Sequence, residues 1–368
     1  MPGNGQRGCC LKVGVNLVTG SSDITTVDTN YQFLACQYVK VQIRELSRHL
    51  RGARLARDTE YVHQARVASR RLRAALRMFS GCFPDARMKK WQKQIKQLTS
   101  RLGAARDTDV QVEFLKDFIS KIPLAGKGLR PGLRRVMLRV KQKRHRIQPK
   151  IVKVLDRIKK DGTILDMRAE VRRTERRLSR QNIDIRSPYV FDQARRYIEE
   201  RLEGLLSCQK CLENADDKVG HHQMRIAAKR LRYTLEICNL PFERRLSANI
   251  EIMKRLQSLL GRVHDCDVWL EDLAKFTDKE KKRTVKYLGS ERAFGRLRPG
   301  IEYLVGHRHA DRELFFERSR ALWKEITEAG LPDNLRAMIQ TPSSRSQRAS
   351  GIDKKAASRD DSRCEKKT

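Results

Sequence analysis

The stretch His63–Leu76, "HQARVASRRLRAAL", has a close counterpart at His222–Leu235, "HQMRIAAKRLRYTL". Both begin with His, place Arg three residues later and carry a basic pair before a Leu. A second pair, "LTSRLGAARDTDV" at Leu98–Val110 and "LQSLLGRVHDCDV" at Leu256–Val268, recurs at an offset of 158, and the His-led stretches recur at 159. Two ordered matches at nearly one offset predict the duplication of a unit of about 150 residues, far longer than a solenoid repeat.

Each His-led stretch separates a basic face from an apolar face on a helical wheel at about 100° per residue. Ala65, Leu72 and Leu76 back the first basic face, and Leu231 and Leu235 back the second. The first basic face consists of His63, Arg66, Arg70, Arg73 and Arg77, and the second of His222, Arg225, Lys229 and Arg232, with Glu236 at the position of Arg77.

These basic faces favour an anionic ligand. Successive cations on one helix lie about 5 Å apart and repel each other by a few tenths of a kcal/mol per pair. A ligand with regularly spaced negative charges would relieve all of them through charge-assisted contacts. The alternative is a solvated face, but such a face normally mixes signs and need not recur in a duplicate. We expect the leading His of each row to contact the ligand and to gain charge near neutral pH.

The composition points to a polyanionic partner. The chain has 368 residues with 80 Lys and Arg against 44 Asp and Glu, a formal net charge of +36. Nucleic acid, an anionic membrane surface and a phosphate polymer all fit this charge. Aromatic residues make up 6%, which is few for stacking single-stranded nucleic acid, and no apolar stretch is long enough to span a bilayer. Nine scattered cysteines are typical of a reducing compartment, so we expect a cytoplasmic location.

Helical apolar spacing runs through most of the chain and predicts an all-α fold of eight to ten helices. We expect one domain at 31–335, divided into halves at about 31–182 and 188–335, each a bundle of about four helices. Residues 1–30 read as a flexible arm. Residues 341–368 lack apolar anchors and are predicted to be a disordered basic tail.

Three further groups of residues lie outside the two His-led stretches. Lys96 and Lys254 coincide at the 158 offset and could extend the binding surface. "CQKC" at Cys208–Cys211 is a lone CxxC, for which helix packing is favoured over a redox or zinc role. One face of the segment 134–146, either part of the same groove or plain solvated surface, carries Arg135, Arg139, Lys143 and Arg146.

A repeated DxD follows a glycine in both halves. Four and six residues after Gly103 and Gly261 lie Asp107 and Asp109, and Asp265 and Asp267. The glycine suits a helix end or close packing, and an Asp after it would cap the next helix. Alternatively, these carboxylates orient the basic residues, or hold Mg²⁺ beside a phosphate.

The pattern H-x-x-R-V-x-x-R-R-L-R at His63–Arg73, its echo at His222–Tyr233 and the "LGxxRDxDV" and "LGxxHDxDV" segments resemble the CHAD family, the conserved-histidine α-helical domain, over roughly residues 31–330. The resemblance implies an all-α fold of two pseudo-symmetric four-helix bundles whose basic central groove binds inorganic polyphosphate. It implies ligand contacts from His63, Arg66, Arg70, Arg71, Arg73, His222, Arg225, Lys229, Arg230 and Arg232. Arg71 and Arg230 lie off the basic arc of the wheel and rest on the resemblance. Arg77, Lys96 and Lys254 complete the predicted polyphosphate-binding set.

The predicted function is non-enzymatic binding of inorganic polyphosphate in the cytoplasm, in association with polyphosphate granules. We predict no catalytic residue, metal or cofactor. Many relatives carry a triphosphate-processing CYTH domain before this one; the 30 preceding residues are too few to hold it, so we expect a stand-alone binding module. One alternative is a non-specific nucleic-acid binder, although nothing in the sequence resembles a recognition helix with Asn or Gln for base readout. The other is a metal-dependent polyphosphate hydrolase that uses the DxD.

Overall fold

The structure is a computed structural model that describes residues 27–340. These residues form eleven α-helices and three short 3₁₀ helices with no strand among them, which confirms the predicted all-α class. None of these helices is both long and apolar enough to cross a bilayer. The predicted tail at 341–368 and nearly all of the predicted arm at 1–30 lie outside the described residues. The helices are α1 (Thr29–Leu55), α2 (Thr59–Met78), α3 (Asp85–Ser120), α4 (Arg130–Lys160), α5 (Thr163–Leu178), α6 (Pro188–Leu206), α7 (Lys218–Cys238), α8 (Ser247–Leu288), α9 (Arg292–Gly295), α10 (Arg298–Glu328) and α11 (Leu331–Gln340), with 3₁₀ helices at Ser80–Cys82, Leu124–Leu129 and Gln209–Glu213.

The two helices with the His-led motif begin at equivalent residues. The Asp58 side chain accepts a hydrogen bond from the backbone N–H of Glu60 at 2.8 Å and caps α2. The Asp217 side chain accepts one from the backbone N–H of Gly220 at 2.8 Å and caps α7. An aspartate at this position satisfies a free N–H and complements the helix dipole. Since the two caps are 159 residues apart, both helices start their motif in the same register.

The apolar faces of α2 and α7 are buried as the wheel predicts. Ala65 and Leu72 on α2, and Ala228 and Leu231 on α7, are fully buried. The two helices also pack against each other, so their basic faces belong to one region of the molecule. The helical periodicity therefore determines which side chains of the motif remain available to a ligand.

Each half packs its helices largely in chain order. In the first half α1 contacts α2 and α5, and α3 contacts α2 and α4; in the second, α7 contacts α6 and α8, and α10 contacts α8. The main core is continuous across both halves and includes the fully buried Trp91 and Phe242. A smaller second core lies where α3, α4, α8 and α10 meet, around Leu133 and Leu304. The arrangement of the halves as two bundles related by a pseudo-two-fold axis stays a prediction.

Helix breaks at Gly103 and Gly261 were a wrong expectation. Helix α3 continues from Asp85 to Ser120 and α8 from Ser247 to Leu288, so both pass through their glycine without interruption. An interior glycine costs about 1 kcal/mol relative to alanine. Buried apolar side chains on both sides of each glycine outweigh that cost. The DxD carboxylates therefore lie inside long helices and cap nothing.

The CxxC pair consists of two free thiols. Cys211 is buried, with its Sγ 3.7 Å from the Met224 Sδ. Its carbonyl oxygen lies 2.9 Å from Nε2 of the buried His221. Burial raises the pKa of the Cys211 thiol to about 12, which makes it a poor nucleophile. These contacts fit the packing role expected for this pair.

A short repeat that the sequence comparison missed joins the two halves at the start of α4 and α10. The tetrapeptide "LRPG" occurs at Leu129–Gly132 and at Leu297–Gly300. A Cβ atom on Gly132 would lie 2.1 Å from the carbonyl oxygen of Leu297, and one on Gly300 would lie 2.0 Å from that of Leu129. Because no side chain can occupy that space, both glycines are required for the helix N-termini to approach each other.

Replacing Gly300 with alanine should destabilise the protein by about 1–3 kcal/mol, because the added methyl group forces two backbones apart. The matched control is Gly306→Ala on the same helix, where nothing lies within 4 Å of the added Cβ. That change should be neutral or stabilising by up to about 1 kcal/mol through helix propensity. Urea denaturation of both variants measures the difference, and equal stabilities would contradict the close contact.

Candidate functional site

The packing of α2 against α7 places five cations in one another's field. Burial, the largest cause, acts together with the charges of Arg70, Arg225, Arg230 and Arg66, in that order of effect, to lower the pKa of Lys229 to about 7. Arg66 and Arg70 come from the first half and the other three from the second. We refer to these five residues as the basic cluster. A lysine with a pKa this far below 10.5 has lost hydration through burial and also lies in the field of like charges.

A cavity of about 510 Å³ opens beside the basic cluster between α2, α6 and α7. We call this cavity the basic pocket. Its described lining contains six cationic side chains and no carboxylate. Five of them belong to the predicted polyphosphate-binding set, namely Arg70, Arg73 and Arg77 from α2 and Lys229 and Arg230 from α7, and Arg201 from α6 was not predicted. The lining residues are Arg70, Arg73, Ala74, Arg77, Met78, Tyr197, Arg201, Ile226, Lys229, Arg230, Tyr233 and Thr234.

Tyr233 holds two arginines in place at the pocket wall. The guanidinium carbon of Arg232 lies 4.7 Å from the centroid of its ring, and that of Arg70 lies 5.7 Å away. These are cation–π distances. Burial lowers the pKa of Arg70, although an arginine keeps its charge at any physiological pH. Because arginines cover it, the Tyr233 ring is not a free surface for stacking.

Glu236 explains why the repeat departs from its pattern at this position. The Arg71 Nε donates a hydrogen bond of 2.9 Å to Glu236 Oε2, and the Arg232 Nε lies 3.7 Å from Oε1. The carboxylate therefore links α7 to α2 and neutralises part of the cationic surface. Arg71 is engaged in this ion pair, whereas Arg77, the counterpart of Glu236, is exposed at the basic pocket.

The first Asp of each DxD lies beside the first Arg of the motif. The Arg66 Nη2 is 3.6 Å from Asp107 Oδ1. In the other half Asp265 is the main opposing charge on Arg225, whose pKa burial lowers. Each arginine also packs against the glycine of its DxD segment. The Arg66 Nε lies 3.7 Å from the position of a Cβ on Gly103, and the Arg225 Nε lies 3.6 Å from that on Gly261. Of the roles considered for the DxD, the position of its first carboxylate fits the orientation of a basic residue.

The second Asp of each DxD is buried and held by an arginine from another helix. The Arg144 Nε donates to Asp109 Oδ1 at 2.7 Å, which joins α4 to α3. The Arg312 Nε donates to Asp267 Oδ1 at 2.6 Å, which joins α10 to α8. Both arginines escaped the sequence comparison because the offset grows from 158 to 168 after the DxD. The nearby "LRPG" repeat, also at 168, was the signal that could have identified them.

The two leading histidines have matching environments at the edge of the basic cluster. Among the described residues, Nδ1 of His63 and Nδ1 of His222 are both buried without a hydrogen-bond partner. Burial and Arg106 lower the pKa of His63, and burial and Arg225 lower that of His222. The His264 ring lies 4.4 Å from the His222 ring, and burial together with Arg225 lowers its pKa to about 4. All three imidazoles are therefore neutral at neutral pH.

Two predicted residues lie away from the cluster. Lys96 is exposed on α3, and Lys254 is exposed on α8 with its Nζ 3.1 Å from Glu251. The basic face of α4 also turns elsewhere. The Arg139 Nε donates to Glu280 on α8 at 2.9 Å, so this face does not join the basic pocket.

Comparison with known proteins places this architecture in a family. The fold is similar to the crystal structure of the CHAD domain from the plant Ricinus communis, with 20% identity, a TM-score of 0.57, and coverage of 83% of this chain and 96% of that one. It is also similar to PptA from Streptomyces chartreusis, with 16% identity, a TM-score of 0.51, and coverage of 81% and 99%. No curated protein sequence matches.

These structural similarities establish the fold alone. The sequence itself matches the family model of the CHAD domain over residues 37–274, which is well over half of the chain. That range contains both His-led motifs, both DxD segments and every lining residue of the basic pocket. On this evidence the chain belongs to the CHAD family.

Proposed function

We propose that residues 31–335 bind inorganic polyphosphate in the basic pocket without cleaving it. The observation that carries this proposal is a concave wall with six cations and no carboxylate among its described residues, supplied by both halves of the chain. Holding like charges together costs free energy, and a polyanion would offset that cost. We further propose that the protein acts in the cytoplasm in association with polyphosphate granules.

A linear phosphate chain fits the pocket better than nucleic acid. Arginine forms bidentate contacts with phosphate oxygens, and cations spaced about 5 Å apart along each helix suit a ligand with charge on every unit. Binding of single-stranded nucleic acid without sequence preference relies on aromatic side chains that stack bases. The Tyr233 ring is covered by Arg70 and Arg232, and the Tyr197 hydroxyl donates to the Met78 carbonyl at 3.1 Å. The pocket therefore offers phosphate contacts and little surface for bases.

The proposed contacts differ in role. His63 and His222 would meet the ligand at the edge of the cluster, and Lys96 and Lys254 would attract it from further out. Arg71 would act through Glu236, its ion-pair partner. The direct contacts are proposed for Arg66, Arg70, Arg73, Arg77, Arg225, Lys229, Arg230 and Arg232.

Replacing Arg66 and Arg225 together with alanine should weaken binding of long-chain polyphosphate by about 2–4 kcal/mol, because one charged contact is lost from each half. Folding should change little, since neither side chain belongs to the core. Isothermal titration calorimetry with polyphosphate of defined length measures the effect, and unimpaired binding by the folded double variant would refute the proposed site.

The matched control is Lys281→Ala with Lys282→Ala, which removes the same charge near the end of α8 and should leave binding almost unchanged.

A competition experiment distinguishes polyphosphate from nucleic acid as the ligand. Polyphosphate bound first should resist displacement by DNA or RNA at equal phosphate concentration, and nucleic acid bound first should be displaced. The reverse order would favour the nucleic-acid alternative, and a salt dependence would not discriminate because both ligands release counterions.

Polyphosphate affinity should fall as the pH rises from 6.5 to 8.5. Free Lys229 has a pKa of about 7. A bound polyanion favours the protonated amine and raises that pKa, so binding takes up a proton between the free and the bound value. Linkage of this one site predicts a loss of affinity on the order of tenfold across that interval. Calorimetric titrations at both pH values measure this loss of affinity. They use long-chain polyphosphate, because its titrating end groups contribute little.

Lys229→Arg is the control for this pH effect. It restores the residue found at the equivalent position of the first half, Arg70, and an arginine keeps its charge across the whole interval. Its affinity should stay nearly constant between pH 6.5 and 8.5. An equally steep decline in this variant would show that Lys229 is not the titrating group.

Incubation with long-chain polyphosphate and Mg²⁺ or Mn²⁺ should leave the chain-length ladder on a gel unchanged. Asp109 and Asp267 are buried and each is paired with an arginine of another helix, so neither DxD presents two free carboxylates to a metal. Shortening of the ladder that disappears in Asp107→Asn with Asp265→Asn would instead support the hydrolase alternative.

A further inference from the structure

A second cavity lies between α4 and the C-terminal part of α8, separate from the basic pocket. We call it the α4–α8 pocket. It has a volume of about 310 Å³ and shares no lining residue with the basic pocket. Within its described lining Asp272 is the one carboxylate. The cations around it are Arg139, Lys143, Arg146, Lys275, Lys279 and Arg283.

Unlike the basic pocket, the α4–α8 pocket has an apolar floor under its cations. Trp269 and Leu273 belong to the second core and Phe276 packs against it, and all three line the cavity together with Val136 and Val140. A site that combines an apolar surface with several cations suits a ligand that has both an apolar ring and negative charge. Inorganic polyphosphate has no apolar part and would leave this floor unused.

A buried carboxylate fixes the cationic wall. Glu280 is 3% exposed and accepts a hydrogen bond from Arg139 Nε at 2.9 Å. The Arg283 Nη1 lies 3.7 Å from the same carboxylate, and the hydrogen bond from Arg139 lowers the pKa of Glu280. By contrast, no ion pair within residues 27–340 engages Arg146 or Lys279. These two side chains are exposed and remain available to an anion.

The duplicate of this region argues against a purely structural role for the cations. At the 168 offset of α4 and α10, Arg139, Lys143 and Arg146 correspond to His307, Asp311 and Leu314. On α10, the guanidinium carbon of Arg308 lies 3.9 Å from the centroid of the Phe114 ring, which packs against the second core. Arg139 and Lys143 pair with Glu280 and Asp272, whereas Arg146 has no ion pair within residues 27–340. Its counterpart is Leu314, so helix packing does not demand a cation at this position.

We propose that the α4–α8 pocket binds a nucleoside polyphosphate. The base would lie on the apolar floor at Trp269 and Phe276, and the phosphates would meet Arg146 and Lys279 at the rim. The volume lies at the lower end of the range for small-molecule sites. Aromatic side chains provide the surface for a flat ring, and arginine and lysine provide charge-assisted contacts to phosphate. This inference is independent of polyphosphate binding in the basic pocket.

Calorimetric titration with ATP tests the pocket in the full chain. The variant Arg66→Ala with Arg225→Ala serves as the background, because it weakens any phosphate binding in the basic pocket. ATP should still bind this background. Adding Arg146→Ala and Lys279→Ala should lower the affinity at least tenfold, whereas adding Lys281→Ala and Lys282→Ala, an equal loss of charge on α8, should not. Both replaced side chains are exposed, so folding is retained.

The ring is tested with inorganic tripolyphosphate, which carries the same phosphates without a base. It should bind the background variant at least tenfold more weakly than ATP. The proposal is overturned if ATP does not bind this background, if the loss of Arg146 and Lys279 leaves its affinity unchanged, or if tripolyphosphate binds as tightly as ATP. Failure of the polyphosphate titrations with the wild-type chain would refute the basic pocket and leave this result unaffected.

Discussion

The contact between α2 and α7 governs the electrostatics of the molecule. Each helix buries one apolar face in the continuous core, so their cationic faces must share the remaining space between the halves. Hydrophobic burial is the main favourable term in folding and outweighs the repulsion that results. The repulsion remains visible in Lys229, whose pKa falls to about 7. Under the proposed function, an anion bound in the basic pocket would relieve this repulsion.

The DxD carboxylates mainly hold basic side chains in position and neutralise only part of their charge. The second Asp of each DxD is buried and pairs with an arginine of another helix, Arg144 or Arg312. The first Asp, two residues earlier on the same helix, lies beside Arg66 or is the main opposing charge on Arg225. Glu236 is the exception, since it pairs with Arg71 across the two halves. Long side chains that are held in place before binding lose less conformational entropy on meeting a ligand.

The sequence was sufficient for the helical class and for the buried and basic faces of the motif helices, because both follow from local periodicity. It also pointed to the repeat, but only where the offset stayed constant. Arg144 and Arg312, the partners of Asp109 and Asp267, were missed because an insertion of ten residues shifts their offset. A contact between residues on different helices also leaves no local pattern in the sequence. Gly103 was misread as a helix break, since local propensity was weighed without the tertiary packing that overrides it. The role of Glu236 also depends on a contact between the halves.

The close approach of Gly132 and Gly300 has a consequence for synthesis on the ribosome. The two glycines are 168 residues apart, so the start of α4 lacks its neighbour until α10 has been made. At about 5–20 residues per second, this interval lasts roughly ten to thirty seconds. During that time the surface of the first half around Leu133 and Val136 stands open to other chains. Arg134 and Arg135 lie between Leu133 and Val136 in the sequence, and charged residues beside an exposed apolar segment oppose aggregation.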